Sequence, residues 1–219
     1  MCADVNTMQN VGAVAERTGV YGVPPAEVLD LPVNAIQFSP LIPGASALEL
    51  QGDGTLTSMM MLAPPGTLER RYAMALALRA VAPGGSFSAL AAKDRGGTRL
   101  RKELQAFGCD VEETARRHHR IVVCARPANV TGVDEALLNG GPQLAAGLDL
   151  CSQPGVFSWD RIDPGTALLM QHLAALSGRG ADFGCGIGIL ARAVLASAKV
   201  EQITLILRIR CMAGRVAWP

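Results

Sequence analysis

Aromatic side chains are scarce, at 4% of the 219 residues. That is too few for a binding platform built from rows of exposed rings. An excess of one charge is also lacking. The 20 Lys and Arg against 19 Asp and Glu leave +1, which excludes a strongly basic nucleic-acid module but leaves room for a local basic patch. Histidine occurs three times, and no two cysteines are spaced C-x-x-C, so no zinc-ligand set stands out. The cysteines at 2, 109, 124, 151, 185 and 211 form no disulfide framework, and a reducing compartment is expected. The start, Met1 to Asn6, has neither the basic residues nor the apolar run of a signal peptide. The charge-free stretch from Leu31 to Leu48 is broken by Pro32, Pro40, Pro43 and Gly44, so it is no membrane span. A soluble, cytoplasmic protein without metal or membrane partner is the expectation.

What is present is a folding composition: 49% hydrophobic and 18% charged residues. The 24 glycines and 13 prolines predict many tight turns. Charge is uneven along the chain, with 13 basic and 15 acidic residues up to 150, then 7 and 4.

The first fifty residues carry weak signals. Asn10 to Gly22 suits a short helix and strand, and Pro32 to Gly44 reads as extended or loop. Beyond them the pattern is regular. Leu56 to Ala63 is an apolar run between turn residues, a buried strand. Thr67 is placed to cap a helix with Arg70 and Arg71 on its wet side, stopped by Pro83-Gly84-Gly85. Phe87 to Ala91 reads as a strand and Thr98 to Phe107 as a helix with Gly108 at its C-cap. Val111 to Thr114 and Ile121 to Ala125 read as an antiparallel pair. This order implies a mainly parallel sheet with helices on its faces. Asn139-Gly140-Gly141-Pro142 suggests a boundary. Thr166 to Leu176 then has helical spacing, Gly180 to Phe183 is a strand end, a helix runs to Ser197, and Gln202 to Leu207 is a strand.

The richest stretch is Asp182-Phe183-Gly184-Cys185-Gly186-Ile187-Gly188. Glycines between a strand and a helix let backbone approach a ligand and present helix-start N–H groups to an anion. Asp182, just before them, can accept from an ammonium. A ligand with both a carboxylate and an amine would use both features. Gly186-Ile187-Gly188-Ile189-Leu190-Ala191 also fits the dinucleotide pattern G-x-G-x-x-A, and a plain turn is the third reading.

This stretch resembles the first motif of class I S-adenosylmethionine-dependent methyltransferases. The segment from Gly155-Val156-Phe157-Ser158 to Asp163-Pro164-Gly165-Thr166 is similar to that of the ribosomal small-subunit guanine-N2 methyltransferases, a family with tandem domains. The resemblance implies an α/β fold of two Rossmann-like methyltransferase units, the first degenerate and the second incomplete. The units span 1–127 and 154–219, with a linker at 128–153. It implies S-adenosylmethionine as cofactor, held by Asp182, Gly184, Cys185, Gly186, Gly188, Phe157 and Asp163, and guanine N2 of ribosomal RNA as target. Ala63-Pro64-Pro65-Gly66 stands where an active member has Asn-Pro-Pro-aromatic. Ala63 has no side-chain acceptor for the target amine and Gly66 has no ring to stack on the base.

Two departures accompany the match. No acid follows the last strand, where the family binds the ribose hydroxyls, and no Asn-Pro-Pro-aromatic tetrapeptide occurs in the sequence. No catalytic residue can be assigned, and a C-terminally truncated, inactive chain is expected. The alternatives are a non-catalytic RNA- or partner-binding fragment and a dinucleotide-dependent oxidoreductase. Basic clusters around Arg99, Arg101 and Lys102, and at Arg116 and Arg117, are candidate RNA contacts or plain solvated segments. His118-His119 reads as a turn and Cys124 as a core residue. A half-built sheet with an open edge near Ile203 to Ile206 is expected to leave residues 177–219 of low stability, self-associating, or docked on the first domain.

Overall fold

The computed structural model describes residues 16–206. Six strands form the main sheet: β1 (Thr18–Tyr21), β2 (Ile36–Phe38), β3 (Leu56–Leu62), β4 (Val81–Ala92), β5 (Glu112–Arg116) and β6 (His119–Ala125), in the order β2-β1-β3-β4-β6-β5. The pairs among β1, β2, β3 and β4 are parallel, while β6 is antiparallel to β4 and β5. The parallel-rich sheet and its antiparallel end match the expectation. The Pro-rich stretch from Pro32 to Gly44 is extended or loop as expected, and its extended part, Ile36–Phe38, pairs as a strand. Of Asn10 to Gly22, only the strand part lies within the described residues.

Helices α1 (Thr67–Ala80), α2 (Leu100–Ala106) and α3 (Val133–Gly140) accompany this sheet. Alternation on β4 serves both of its faces: Phe87, Ala89 and Ala91 join the main core, and Leu90 joins a smaller cluster with Val28 and Ile121. Cys109 and Cys124 are both buried in the main core, where the Cys109 thiol bonds with Cys124 and that bond and burial push the Cys124 thiol up. The β5–β6 hairpin turns through Arg117 and His118, at φ 47° and 62°. Both residues being left-handed suits a two-residue turn whose twist matches the strands.

Three local expectations need correction. Arg70 is not on the wet side of α1; it is fully buried. Its guanidinium meets both oxygens of Glu103 at 2.6 Å and donates to Pro64 O and Pro65 O. A charge with that many fixed acceptors is stable inside, and helical spacing alone does not reveal such partners. Thr67 is not the cap, which is Gly66; its Oγ1 accepts from Arg99 instead. Pro83-Gly84-Gly85 does not stop α1, which ends at Ala80; those residues lie inside β4, where the register with β3 shifts.

The 128–153 span holds α3 and a hairpin of β7 (Gln143–Ala145) and β8 (Leu150–Ser152). Gly140 closes α3 on α1: an added Cβ would lie 2.5 Å from Tyr72 Cβ and 2.6 Å from Leu68 O. Gly140→Ala therefore destabilises despite Ala being the better helix former. Overpacking costs ~1–3 kcal/mol, whereas helix propensity returns at most ~1 kcal/mol. A lowered thermal midpoint checks it.

The rest of the chain holds α4 (Pro164–Gln171), β9 (Gly178–Phe183), α5 (Ile189–Leu195) and β10 (Val200–Ile206), with β9 and β10 paired in parallel. The α4 helix is shorter than expected. Its start is set by Pro164 at the first position and by Asp163, whose carboxylate accepts from Gly165 N at 2.9 Å and Thr166 N at 3.2 Å. Among the described residues from Gly155 on, Ala191 is the one buried hydrophobic side chain, while Leu168, Leu169, Leu195, Leu205 and Ile206 are exposed.

Candidate cofactor site

The glycine loop joins β9 to α5 and needs three left-handed residues: Gly184 at φ 77°, Gly186 at 56° and Gly188 at 85°. A side chain at any of these would be strained. Gly184 N donates to Ile206 O at 2.7 Å, tying the loop to the end of β10, and Gly188 N donates to Cys185 O at 2.8 Å, closing the turn. A Cβ added at Gly184 or Gly186 would meet nothing within 4 Å. These two glycines are therefore set by backbone angle and by open space for a ligand, not by crowding from the protein.

The loop faces the segment singled out from sequence. Phe157, Asp163, Gly184, Cys185 and Gly186 line one hollow of about 160 Å³. Phe157 is 74% exposed at its rim, and Asp163 also caps α4. Gly188 is the N-cap of α5 and does not line the hollow. Asp182 lines a separate, more apolar hollow of about 310 Å³ with Leu173, Leu190 and Ile203. Its Oδ2 is buried without a hydrogen-bond partner, which is costly unless a ligand donor or water satisfies it. Burial and the Asp182 charge push the Cys185 thiol up, keeping it neutral. Arg161 and Thr166 also line the smaller hollow; sequence reading passed over both, although they lie within the resembling segment.

The open backbone at Gly184 and Gly186 suits the amino-acid end of an adenosyl cofactor, while Asp182 lines the neighbouring hollow. The fit fails at the ribose end, since no acid lies between Ile206 and Arg210. In the main sheet, Ala63-Pro64-Pro65-Gly66 follows β3. Both of its proline carbonyls already receive Arg70 Nη1, so they are engaged as well as lacking the neighbouring side-chain acceptor. Among the described residues no group of three or more His, Cys, Asp or Glu could hold a metal, and no helix is long and apolar enough to cross a membrane.

A parallel-rich sheet followed by a strand–glycine loop–helix–strand unit defines an α/β protein with a Rossmann-like βαβ unit. Residues 147–213 match the family described as Methyltransferase small domain. The chain is 30% identical over 174 residues to Ribosomal RNA small subunit methyltransferase C of Pseudomonas paraeruginosa, covering 78% of this chain and 52% of that protein. The same protein of Shewanella sp. (strain W3-18-1) is 54% identical over 48 residues, 22% of this chain and 14% of the relative. A T. thermophilus 16S rRNA guanine-N2 methyltransferase, solved with AdoMet and guanosine, superposes with a TM-score of 0.60 at 18% identity, over 89% of this chain and 60% of that one. That likeness concerns the fold. These matches relate the chain to the small-subunit ribosomal RNA methyltransferases, and it spans about half the length of the first of these curated relatives.

Proposed function

We propose that this chain carries the cofactor-gripping half of a methyl transfer from S-adenosylmethionine to the N2 amine of a guanine in small-subunit ribosomal RNA. The observation that carries this reading is the convergence of Phe157, Asp163, Gly184, Cys185 and Gly186 on one hollow, beside an acid with an unpartnered buried oxygen. The bound cofactor supplies the methyl carbon. The glycine loop admits its amino-acid end against the backbone, and Asp182 receives the ammonium. Phe157 covers the hollow from the rim. Residues 1–127 form a unit that has lost its chemistry, and 154–219 form the cofactor unit. Arg99, Arg101, Lys102, Arg116 and Arg117 are candidate RNA contacts. The exposed apolar side of β9 and β10 is a candidate for self-association.

Calorimetry tests this reading. S-adenosylmethionine and S-adenosylhomocysteine bind and NADH does not; NADH binding alone would instead favour the oxidoreductase. Methyl transfer to ribosomal RNA by this chain by itself is expected to be undetectable. Ala63 offers no side-chain acceptor, and no other Asn-Pro-Pro-aromatic segment exists in the sequence.

A further inference from the structure

One cavity is lined by residues of the main sheet and its loops, none of them from the glycine loop. It encloses about 580 Å³, within the range of small-molecule sites. It opens at the carboxyl ends of β1, β3 and β4. Because β2 and β3 flank β1 on opposite sides, the chain reverses its winding there, and ligands of open α/β sheets collect at that point. Its walls include Tyr21, Pro25, Ile42, Leu62 and Pro64. The loop after β1 is Gly22-Val23-Pro24-Pro25, not a glycine-rich turn, and Ser39 rather than an acid follows β2. A second cofactor molecule therefore lacks its grip.

The mouth has a different chemistry. Arg95 and His119 line it. Lys93 N donates to His118 O at 2.9 Å, and Ala92 pairs with His119 across β4 and β6. The two basic segments, far apart in sequence, are thereby joined at one rim. Lys93, Arg95 and Arg117 are exposed in these joined segments, and Arg95 lines the cavity itself. Asp94 is the exposed acid in the same turn, and Glu113 engages Arg120 at 3.3 Å. Inside, the charged wall residue is Glu69, 7% exposed. The apolar walls offer an anion little solvation, whereas the rim favours one. The complementary ligand is a flat, uncharged ring system attached to an external phosphate.

We infer that this cavity docks one unpaired nucleotide of an RNA chain, its base between the apolar walls and its phosphate at the Lys93–Arg95–Arg117 rim. The inference rests on the proposed RNA substrate, and it assigns the chemically silent unit the task of holding the strand. The full chain is titrated with a single-stranded RNA decamer carrying one 2-aminopurine, with circular dichroism as the folding control. Ala92→Trp, which fills the mouth, weakens binding about tenfold or more and abolishes the probe's fluorescence change, as loss of one stacked base requires. Arg95→Glu, at an exposed position that leaves the core untouched, weakens binding and lowers the salt slope by about one. Unchanged RNA affinity in folded Ala92→Trp and Arg95→Glu would overturn the inference, as would an absence of RNA binding by the parent chain. Calorimetry with S-adenosylmethionine on the same samples separates the two readings. Cofactor binding that survives in both variants leaves the proposed function standing even where the pocket fails. Decamer binding lost in the variants supports the pocket even if the parent chain binds no cofactor.

Discussion

Arg70→Met lowers the stability of the chain by roughly 3–5 kcal/mol, the cost of stranding one member of a buried ion pair. Arg70 is fully buried and its partner Glu103 nearly so, at 0% and 10% side-chain exposure. Removing the guanidinium leaves the carboxylate without its two 2.6 Å donors and frees the carbonyls of Pro64 and Pro65. The double replacement Arg70→Met with Glu103→Leu recovers about half or more of the loss, since an apolar pair of similar volume avoids the desolvation of both charges. Urea denaturation at constant slope reads both effects. A single-variant loss below ~1 kcal/mol would show that water reaches the pair and that its burial has been misjudged.

Asp182→Asn weakens S-adenosylmethionine binding about 10- to 100-fold, as expected for loss of a charge-assisted hydrogen bond worth ~1.5–3 kcal/mol. The same substitution leaves folding stability unchanged or raised. Oδ2 is buried and unpartnered in the free protein, so neutralising the group relieves a desolvation cost there. Opposite signs for binding and stability distinguish a residue kept for a ligand from one kept for the fold. Calorimetry and thermal melts on one sample decide it, and a loss of stability without loss of affinity would reassign Asp182 to structure.

Much of the fold was legible because its signals are local. Leu56 to Ala63 and Phe87 to Ala91 are short apolar runs, and both are central strands. Gly108 ends α2 at φ 84°, as a C-cap glycine should. The loop glycines at 184, 186 and 188 were legible too, since a left-handed turn between strand and helix has few other solutions. What stayed hidden depends on contacts distant in sequence. Arg70 reads as a surface residue until Glu103, thirty-three positions away, is beside it. Asp163 was assigned to the cofactor, yet it also caps the helix that begins at the next residue. The cavity at the main sheet left no motif, because its walls come from four separated loops and its basic rim from two segments joined by pairing of β4 with β6.

The thinness of the β9–β10 ribbon has a thermodynamic consequence. Its two strands and α5 are packed around one buried apolar side chain, Ala191, whereas α1, β3 and β4 share the main core. Amide protons from Gly178 to Ile206 therefore exchange through a low-energy local opening, long before the central sheet lets go. A molecule that occupies the hollow only when the ribbon is closed shifts that opening by mass action. Saturation of the hollow and ordering of the ribbon become one equilibrium, so the measured affinity contains the cost of completing a partly assembled structure.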